Sequence, residues 1–157
     1  MLRLKNCHLW LIVFSLLCSN QIFAKTISLS KKLNEDSYLN LESQNEIVAA
    51  IKENDQISII VENEGSARKE FYFGIKDTAT KDYWGQFTFK TNLKRGTNYL
   101  NIDLDRNVGE RSSQKYQRKI DKEKITKIFI VFNPDKESTD ESIVIKEIKF
   151  TKRNKII

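Results

Sequence analysis

Short runs of alternating apolar and polar residues recur along most of the chain, and no other feature constrains its fold as strongly. In QISIIVEN, for example, Ile57, Ile59 and Val61 share one face. Runs of this length, bounded by Asn, Asp, Gly and Ser, are typical of β-strands with one buried face. The eight runs are KTISL, SYLNL, QISIIVEN, EFYFGIKD, WGQFTFKT, NYLNIDL, TKIFIVFN and SIVIKEIKF. Their number and length predict an all-β sandwich of about eight strands.

Two of these runs depart from simple alternation. TKIFIVFN is apolar almost throughout, which predicts a strand buried on both faces, and Pro134 marks its end. In SIVIKEIKF the alternation slips between Ile145 and Ile148, which predicts a β-bulge in the last strand.

Helical patterning is confined to one short segment. Ser43 and Glu46 have the spacing of a capping box, and Ile47, Val48 and Ile51 follow as a narrow apolar face. We expect a helix of one or two turns there. The polar stretch 107–119 has no apolar period and predicts a long exposed loop, after which Asp121 caps a short turn.

Residues 1–24 have the features of a secretory signal peptide. Arg3 and Lys5 precede an apolar run, and Ile22-Phe23-Ala24 forms a cleavage site before Lys25. The run is too short for a comfortable membrane span. We therefore expect an exported product, periplasmic or secreted, whose residues 25–157 form one domain. Lipid attachment at Cys18 and retention of the segment are the alternatives.

Cleavage would remove the residues with the most versatile chemistry. Both cysteines, the single histidine and the single methionine lie in residues 1–24. The remaining chain would lack imidazole and thiol groups, which excludes histidine bases, cysteine nucleophiles and ordinary zinc sites. We therefore expect a protein that is not an enzyme and needs no cofactor; an enzyme would have to use Asp, Glu, Tyr or Lys.

The charge distribution gives no indication of a nucleic-acid partner. The signal segment holds two of the 27 basic residues and none of the 21 acidic ones, so its loss lowers the net charge from +6 to +4. Basic and acidic residues are interleaved, as in KIDKEKITK, which is typical of a mixed solvated surface. The basic tail KFTKRNKII is interpreted as a frayed end.

Residues 56–150 resemble the jelly-roll domains of the galactose-binding-like superfamily. The shared features are a strand ending in Asn63, one ending in Asp77, the turn from Leu93 to Asn98 with Gly96 between them, and the run Ile102-Asp103-Leu104. The sequence is similar to the carbohydrate-binding-module-like branch, close to the family named after complex I intermediate-associated protein 30. The resemblance implies a jelly roll with carbohydrate or glycoconjugate as its ligand. Lys146 stands where relatives often carry an Asp, which argues against a structural calcium ion.

One strand and its neighbour carry the residues expected to bind such a ligand. If Phe87 and Phe89 point inward, alternation places the even-numbered residues around them, from position 84 to position 90, on the opposite face. Aromatic rings stack on sugar faces while amides and charges bond the hydroxyls. The predicted site comprises Trp84, Tyr72, Gln86, Lys76 and Asp82. In the alternative interpretation, Trp84 and Tyr83 cover one edge of the core.

Several other polar groups have a structural and a functional interpretation. The four carboxylates that could support glycoside hydrolysis or cap turns are Asp77, Asp82, Asp103 and Asp105. The loop acids Asp135, Glu137, Asp140 and Glu141 lack EF-hand spacing, so we predict no metal site there. Asn63 and Asn133 are expected to close strands. Three arginines flank the polar loop and could bind an acidic sugar or a partner's carboxylates by forked hydrogen bonds, or simply keep the loop soluble: Arg106, Arg111 and Arg118.

The sequence thus favours an exported, non-catalytic binding module of jelly-roll type. The competing interpretation is a structural or protein-interaction module that docks another envelope protein. A sugar-binding module should expose Trp84 beside polar groups, whereas an interaction module should present a broad apolar patch.

Overall fold

A computed structural model of the protein describes residues 24–33, 38–41, 45–65, 68–108, 117–133 and 142–153. These residues form eight strands, one α-helix and two short 3-10 turns. In chain order they are β1 (Ala24–Leu33), β2 (Tyr38–Asn40), α1 (Asn45–Glu53), β3 (Gln56–Asn63), β4 (Lys69–Asp77), a turn at Tyr83–Gly85, β5 (Phe87–Leu93), β6 (Gly96–Asp103), a turn at Lys122–Lys124, β7 (Ile125–Asn133) and β8 (Ile143–Thr151).

The strands form two four-stranded antiparallel sheets with the orders β1-β8-β3-β6 and β2-β7-β4-β5. The first strand pairs with the last, the second with the seventh, the third with the sixth and the fourth with the fifth, as in one long hairpin rolled up about its tip. This arrangement is a jelly roll. The predicted fold class, an all-β jelly-roll sandwich with a short helix, is confirmed. The predicted signal peptide lies outside the described residues except for Ala24, which begins β1.

The core lies between the two sheets and is built from the residues that the alternation places inward. In β3 every second residue is buried, beginning with Ile57, and in β4 Phe71 and Phe73 are buried in the same way. The large apolar side chains that are almost completely buried include Leu41, Ile47, Ile51, Ile57, Ile59, Phe71, Phe73, Ile75, Phe87, Phe132 and Phe150. Each such side chain contributes about 1.5–3 kcal/mol relative to an exposed one, so this layer is the main source of stability in the described part of the chain, which contains no cysteine.

Helix α1 connects β2 in one sheet to β3 in the other. It buries Ile47, Ala50 and Ile51, so the predicted apolar face is confirmed, although nine residues make the helix longer than two turns. The Asn54 side chain donates to the Ala50 carbonyl at 2.8 Å and satisfies one acceptor of the last turn. Ser43 of the predicted capping box lies outside the described residues.

The predicted bulge is present. The pairing of β8 with β3 skips one residue between Ile145 and Glu147, which leaves Lys146 exposed in the bulge.

The prediction that β7 is buried on both faces holds only in part. On its outward face Phe129 is 7% exposed, but Lys127 and Val131 are only partly buried.

The turn between β5 and β6 depends on Gly96 and Asn98. Gly96 has φ +85°, which favours glycine because other residues are strained there. The Asn98 side chain accepts from the Lys94 N–H at 2.9 Å and donates to the carbonyls of Lys94 and Gly96 at 2.8 Å each. The Leu93–Gly96–Asn98 spacing therefore encodes a hydrogen-bonded turn.

The prediction of a long exposed loop over 107–119 holds at Asn107 and Lys119, which are exposed, but is wrong at Val108. Val108 is buried, and its N–H donates to the Arg118 carbonyl at 2.8 Å, which closes the base of the loop. One apolar residue gives no period, so the sequence pattern did not indicate this anchor. In the described part of the chain, no helix is long and apolar enough to cross a membrane.

Candidate ligand-binding site

The outer face of the sheet β2-β7-β4-β5 carries the candidate site. Two neighbouring rows cross its three longer strands: Val131, Tyr72 and Lys90 in one, and Phe129, Gly74 and Thr88 in the next. The core-facing residues of these strands alternate with them, so all six positions face away from the core. This face therefore has an aromatic and apolar floor with polar groups towards β5.

Gly74 allows the floor to be flat. A Cβ atom at this position would lie 2.1 Å from Cζ of Phe129, so the Phe129 ring occupies the space where a side chain would stand. The ring therefore lies across the strand rather than projecting from it, and only a small fraction of it is exposed. Any side chain larger than hydrogen would displace Phe129.

Tyr83 and Trp84 lie beside this floor, in the loop that joins β4 to β5. They lie in the 3-10 turn Tyr83–Gly85, whose N-cap residue Asp82 accepts a hydrogen bond from the Gly85 N–H at 2.9 Å. The two rings meet edge to face, with centroids 5.3 Å apart, and Tyr83 and Trp84 are 58% and 65% exposed. Strand β5 begins only at Phe87, so Trp84 is not part of the strand. Its position is set by the 3-10 turn and not by the strand alternation that the sequence predicted.

Floor and turn together enclose two adjoining depressions. The smaller, about 90 Å³, is lined by Tyr72, Tyr83, Trp84, Gln86, Thr88, Lys90 and Asn107. The larger, about 270 Å³, is lined by Tyr72, Tyr83, Gln86, Thr88, Phe129 and Val131. They share four residues, and we refer to both together as the outer-face site. Pockets that enclose drug-sized ligands measure roughly 300–1,000 Å³, so this site is shallow and would hold part of a ligand.

Lys90 is held at the rim of the site by two neighbours. Its ammonium lies 2.7 Å from Glu70 Oε1 and 5.0 Å from the centroid of the Tyr72 ring. The Tyr72 hydroxyl donates to Glu70 Oε2 at 2.5 Å. Hydrogen bonds from Lys90 and Tyr72 lower the pKa of Glu70, and the bond to Glu70 raises the pKa of Lys90. Partial burial, followed by the bond to Glu70, raises the pKa of Tyr72. All three groups therefore keep their usual charge states at neutral pH.

The ion pair between Arg118 and Asp77 holds the turn that contains Trp84. Arg118 binds the buried Asp77 carboxylate through both terminal nitrogens, at 2.6 and 2.9 Å, and also donates to the Gly85 carbonyl at 2.8 Å. The Asp121 N–H donates to the same carboxylate at 2.8 Å. Burial acts to raise the pKa of Asp77, but the bonds from Arg118, Asp121 and Thr80 outweigh it and hold the pKa at about 2. Asp77 thus remains ionised and ties the turn to β4.

The structure brings together three of the five residues predicted for the site. Tyr72, Trp84 and Gln86 line the depressions. Lys76 lies on the same face of β4 but opposite Lys127, one row beyond the floor, and does not line them. Asp82 caps the turn rather than entering the site.

Sequence reasoning missed part of the lining. Asn107 enters from the segment after β6, and Phe129 and Val131 enter from β7. The apolar character of TKIFIVFN on both faces was the only signal for the β7 residues, and it indicated burial rather than a binding floor. Arg118 was expected in a solvated loop, but its guanidinium is fixed by Asp77, 41 residues away.

Arg106, the other described arginine of this segment, does not form an anion site with Arg118. Arg106 lies over the Phe87 ring, 4.6 Å from its centroid, and donates to the Thr88 carbonyl. This guanidinium therefore covers one side of the core. Arg111 lies outside the described residues.

The carboxylates that the sequence offered for catalysis or metal binding do not converge on one site. Each of those described here binds nearby backbone or basic groups. Asp103 accepts from the Asp105 N–H at 3.0 Å and pairs with Arg153 at 2.7 Å, while Asp105 lies 3.7 Å from Lys119. Among the described residues, no group of three or more His, Cys, Asp or Glu side chains could hold a metal ion. The acidic loop 135–141 lies outside the described residues, as does the side chain of Asn133. Asn63 accepts from the Gly65 N–H at 3.1 Å and so closes β3.

Comparison with known proteins gives little further information. No family model matches the sequence, and no curated protein matches it. Among solved structures, a chain of Desmodium yellow mottle tymovirus is 12% identical, over 82% of this chain and 79% of that one, with a TM-score of 0.35. A likeness this weak says nothing about the function of this chain.

Proposed function

We propose that the protein is an exported, non-catalytic binding module for carbohydrate or glycoconjugate, and that the outer-face site holds the ligand. The observation that carries this proposal is the position of Trp84, which is 65% exposed and stands beside Gln86, Thr88 and Asn107 around one depression. Aromatic rings bind the apolar faces of sugars while hydroxyl and amide groups bond their polar edges. The resemblance to carbohydrate-binding-module-like jelly rolls points to the same ligand class.

The competing role as a protein-interaction module of the cell envelope is less well supported. Such a module should present a wide, flat apolar patch. Here the apolar floor is narrow, since Phe129 is only 7% exposed and the more exposed polar residues Thr88 and Lys90 border it. The described lining of both depressions contains no carboxylate, whereas a glycosidase needs two facing each other roughly 5–10 Å apart.

A glycan-array measurement on wild type and Trp84→Ala tests the proposal. Loss of the stacking surface should weaken binding of the recognised glycan about tenfold or more, equivalent to about 1.4 kcal/mol. Tyr99→Ala is the matched control, because Tyr99 is an even more exposed aromatic residue, at 74%, on the outer face of the other sheet. The control should bind like wild type. Equal binding by all three proteins, or no glycan bound by wild type, would contradict the proposal.

A further inference from the structure

We infer that the glycan recognised at the outer-face site carries a negatively charged group, a carboxylate or a sulfate, and that Lys90 binds it. This inference rests on the proposed function and specifies the ligand class. The charge of the lining and the way in which Lys90 is held both support it.

The site offers positive charge at its rim and no negative charge in its described lining. Of the described residues around the two depressions, Lys90 is the one that is charged, and the others are aromatic, amide, hydroxyl or apolar. An ammonium group can donate hydrogen bonds but not accept them. A ligand oxygen that accepts from Lys90 forms the stronger contact when it is ionised, because the attraction between opposite charges adds to the hydrogen bond.

Glu70 and Tyr72 position the ammonium without removing it from the site. Glu70 Oε1 takes one of the three ammonium donors at 2.7 Å, while Glu70 Oε2 accepts from the Tyr72 hydroxyl. Glu70 itself does not line either depression. Lys90 also lies 5.0 Å above the Tyr72 ring, so its long side chain is restrained in one place and a ligand need not order it.

The next row of the sheet adds positive charge to the same face. Lys76 of β4 lies one row beyond the floor, on the side away from Lys90. Lys76 and Lys90 would both attract a negatively charged group that lies over the floor.

The test uses ligands that differ only in charge. Binding of wild type to an oligogalacturonate is compared with binding to its fully methyl-esterified form, and binding to a sulfated oligosaccharide with binding to its desulfated form. We expect the charged member of at least one pair to bind tenfold or more tightly, and raising NaCl from 50 to 500 mM to reduce that preference. The two pairs distinguish a carboxylate from a sulfate.

Variants of Lys90 test whether this residue causes the preference for charged over neutral glycans. Lys90→Gln should abolish the discrimination between the charged and neutral members of a pair, and Lys90→Arg should retain most of it. Lys146→Gln, which removes an exposed lysine from the bulge of the other sheet, should behave like wild type. If wild type binds charged and neutral glycans equally, or Lys90→Gln discriminates as wild type does, the inference is wrong while the binding function stands. If no glycan of any charge binds, the proposed function itself fails.

Discussion

At the scale of single residues, the absence of a side chain at Gly74 shapes the site as much as any side chain that is present. The Phe129 ring fills the space above Gly74 and forms the floor beside Tyr72. Glycine in a strand interior is unfavourable, and it commonly marks the close approach of another group. Here that group is an aromatic ring from the neighbouring strand.

Gly74→Ala should therefore destabilise the protein by about 1–3 kcal/mol, because the new methyl group overlaps the Phe129 ring. Urea unfolding followed by circular dichroism measures the loss. The double variant Gly74→Ala/Phe129→Ala provides the control, since removal of the ring makes room for the methyl group. The loss in the double variant should be smaller than the sum of the two single losses. Strictly additive losses would show that residue 74 does not have to be glycine to make room for the Phe129 ring.

At the scale of elements, the Asp77–Arg118 pair joins three segments that are distant in sequence. It links the end of β4, the Trp84 turn through the Gly85 carbonyl, and the segment before β7 through the Asp121 N–H. Removing one partner of a buried pair leaves the other charge uncompensated. We expect the position of Trp84 to depend on this pair although neither residue lines the site.

Arg118→Ala should lower the free energy of unfolding at pH 7 by about 3 kcal/mol. It should also weaken glycan binding, because the carbonyl of Gly85 loses the donor that holds the turn. Lys119→Ala is the matched control: its exposed pair with Asp105 should contribute less than about 1 kcal/mol. Equal losses in the two variants would contradict the role given to the buried pair.

The same pair predicts the acid dependence of stability. The folded-state pKa of Asp77 lies below its ordinary value of 3.8, at about 2, so its contribution is present above pH 3.8 and is lost as the pH falls through 2. The shift corresponds to about 2 kcal/mol. The difference in stability between wild type and Arg118→Ala should therefore shrink between pH 5 and pH 2. A difference that stays constant over this range would show that the carboxylate is not the group concerned.

At the scale of the whole molecule, the alternation of apolar residues was sufficient to predict the layers of the sandwich. Ile57 and Phe71 lie inward because their strands bury every second residue, and the change of period before Ile148 marks a bulge. What alternation could not predict depends on chain segments that meet across loops. Asn107 reaches the site and Arg118 reaches Asp77 through the rolled-up strand order, which no local pattern encodes.

The N-terminal end of the sandwich is compatible with the export that we propose. Cleavage after Ala24 would remove the first residue of β1 and leave Lys25 and every later pair with β8 in place. The loss of one edge residue would not disturb the core, because Ala24 is exposed. The jelly roll described here can therefore persist after maturation.

An NMR titration with ¹⁵N-labelled protein and the preferred oligosaccharide would locate the ligand on the protein, since it reports every backbone amide and the Trp84 indole N–H together. We expect saturable shifts at the Trp84 indole and at the outward residues of β4 and β5, including Tyr72, Thr88 and Lys90. Tyr99 and its neighbours on the other sheet should remain unchanged. Shifts confined to that other sheet, or no saturable shift at Trp84, would contradict the assignment of the outer face as the ligand-binding surface.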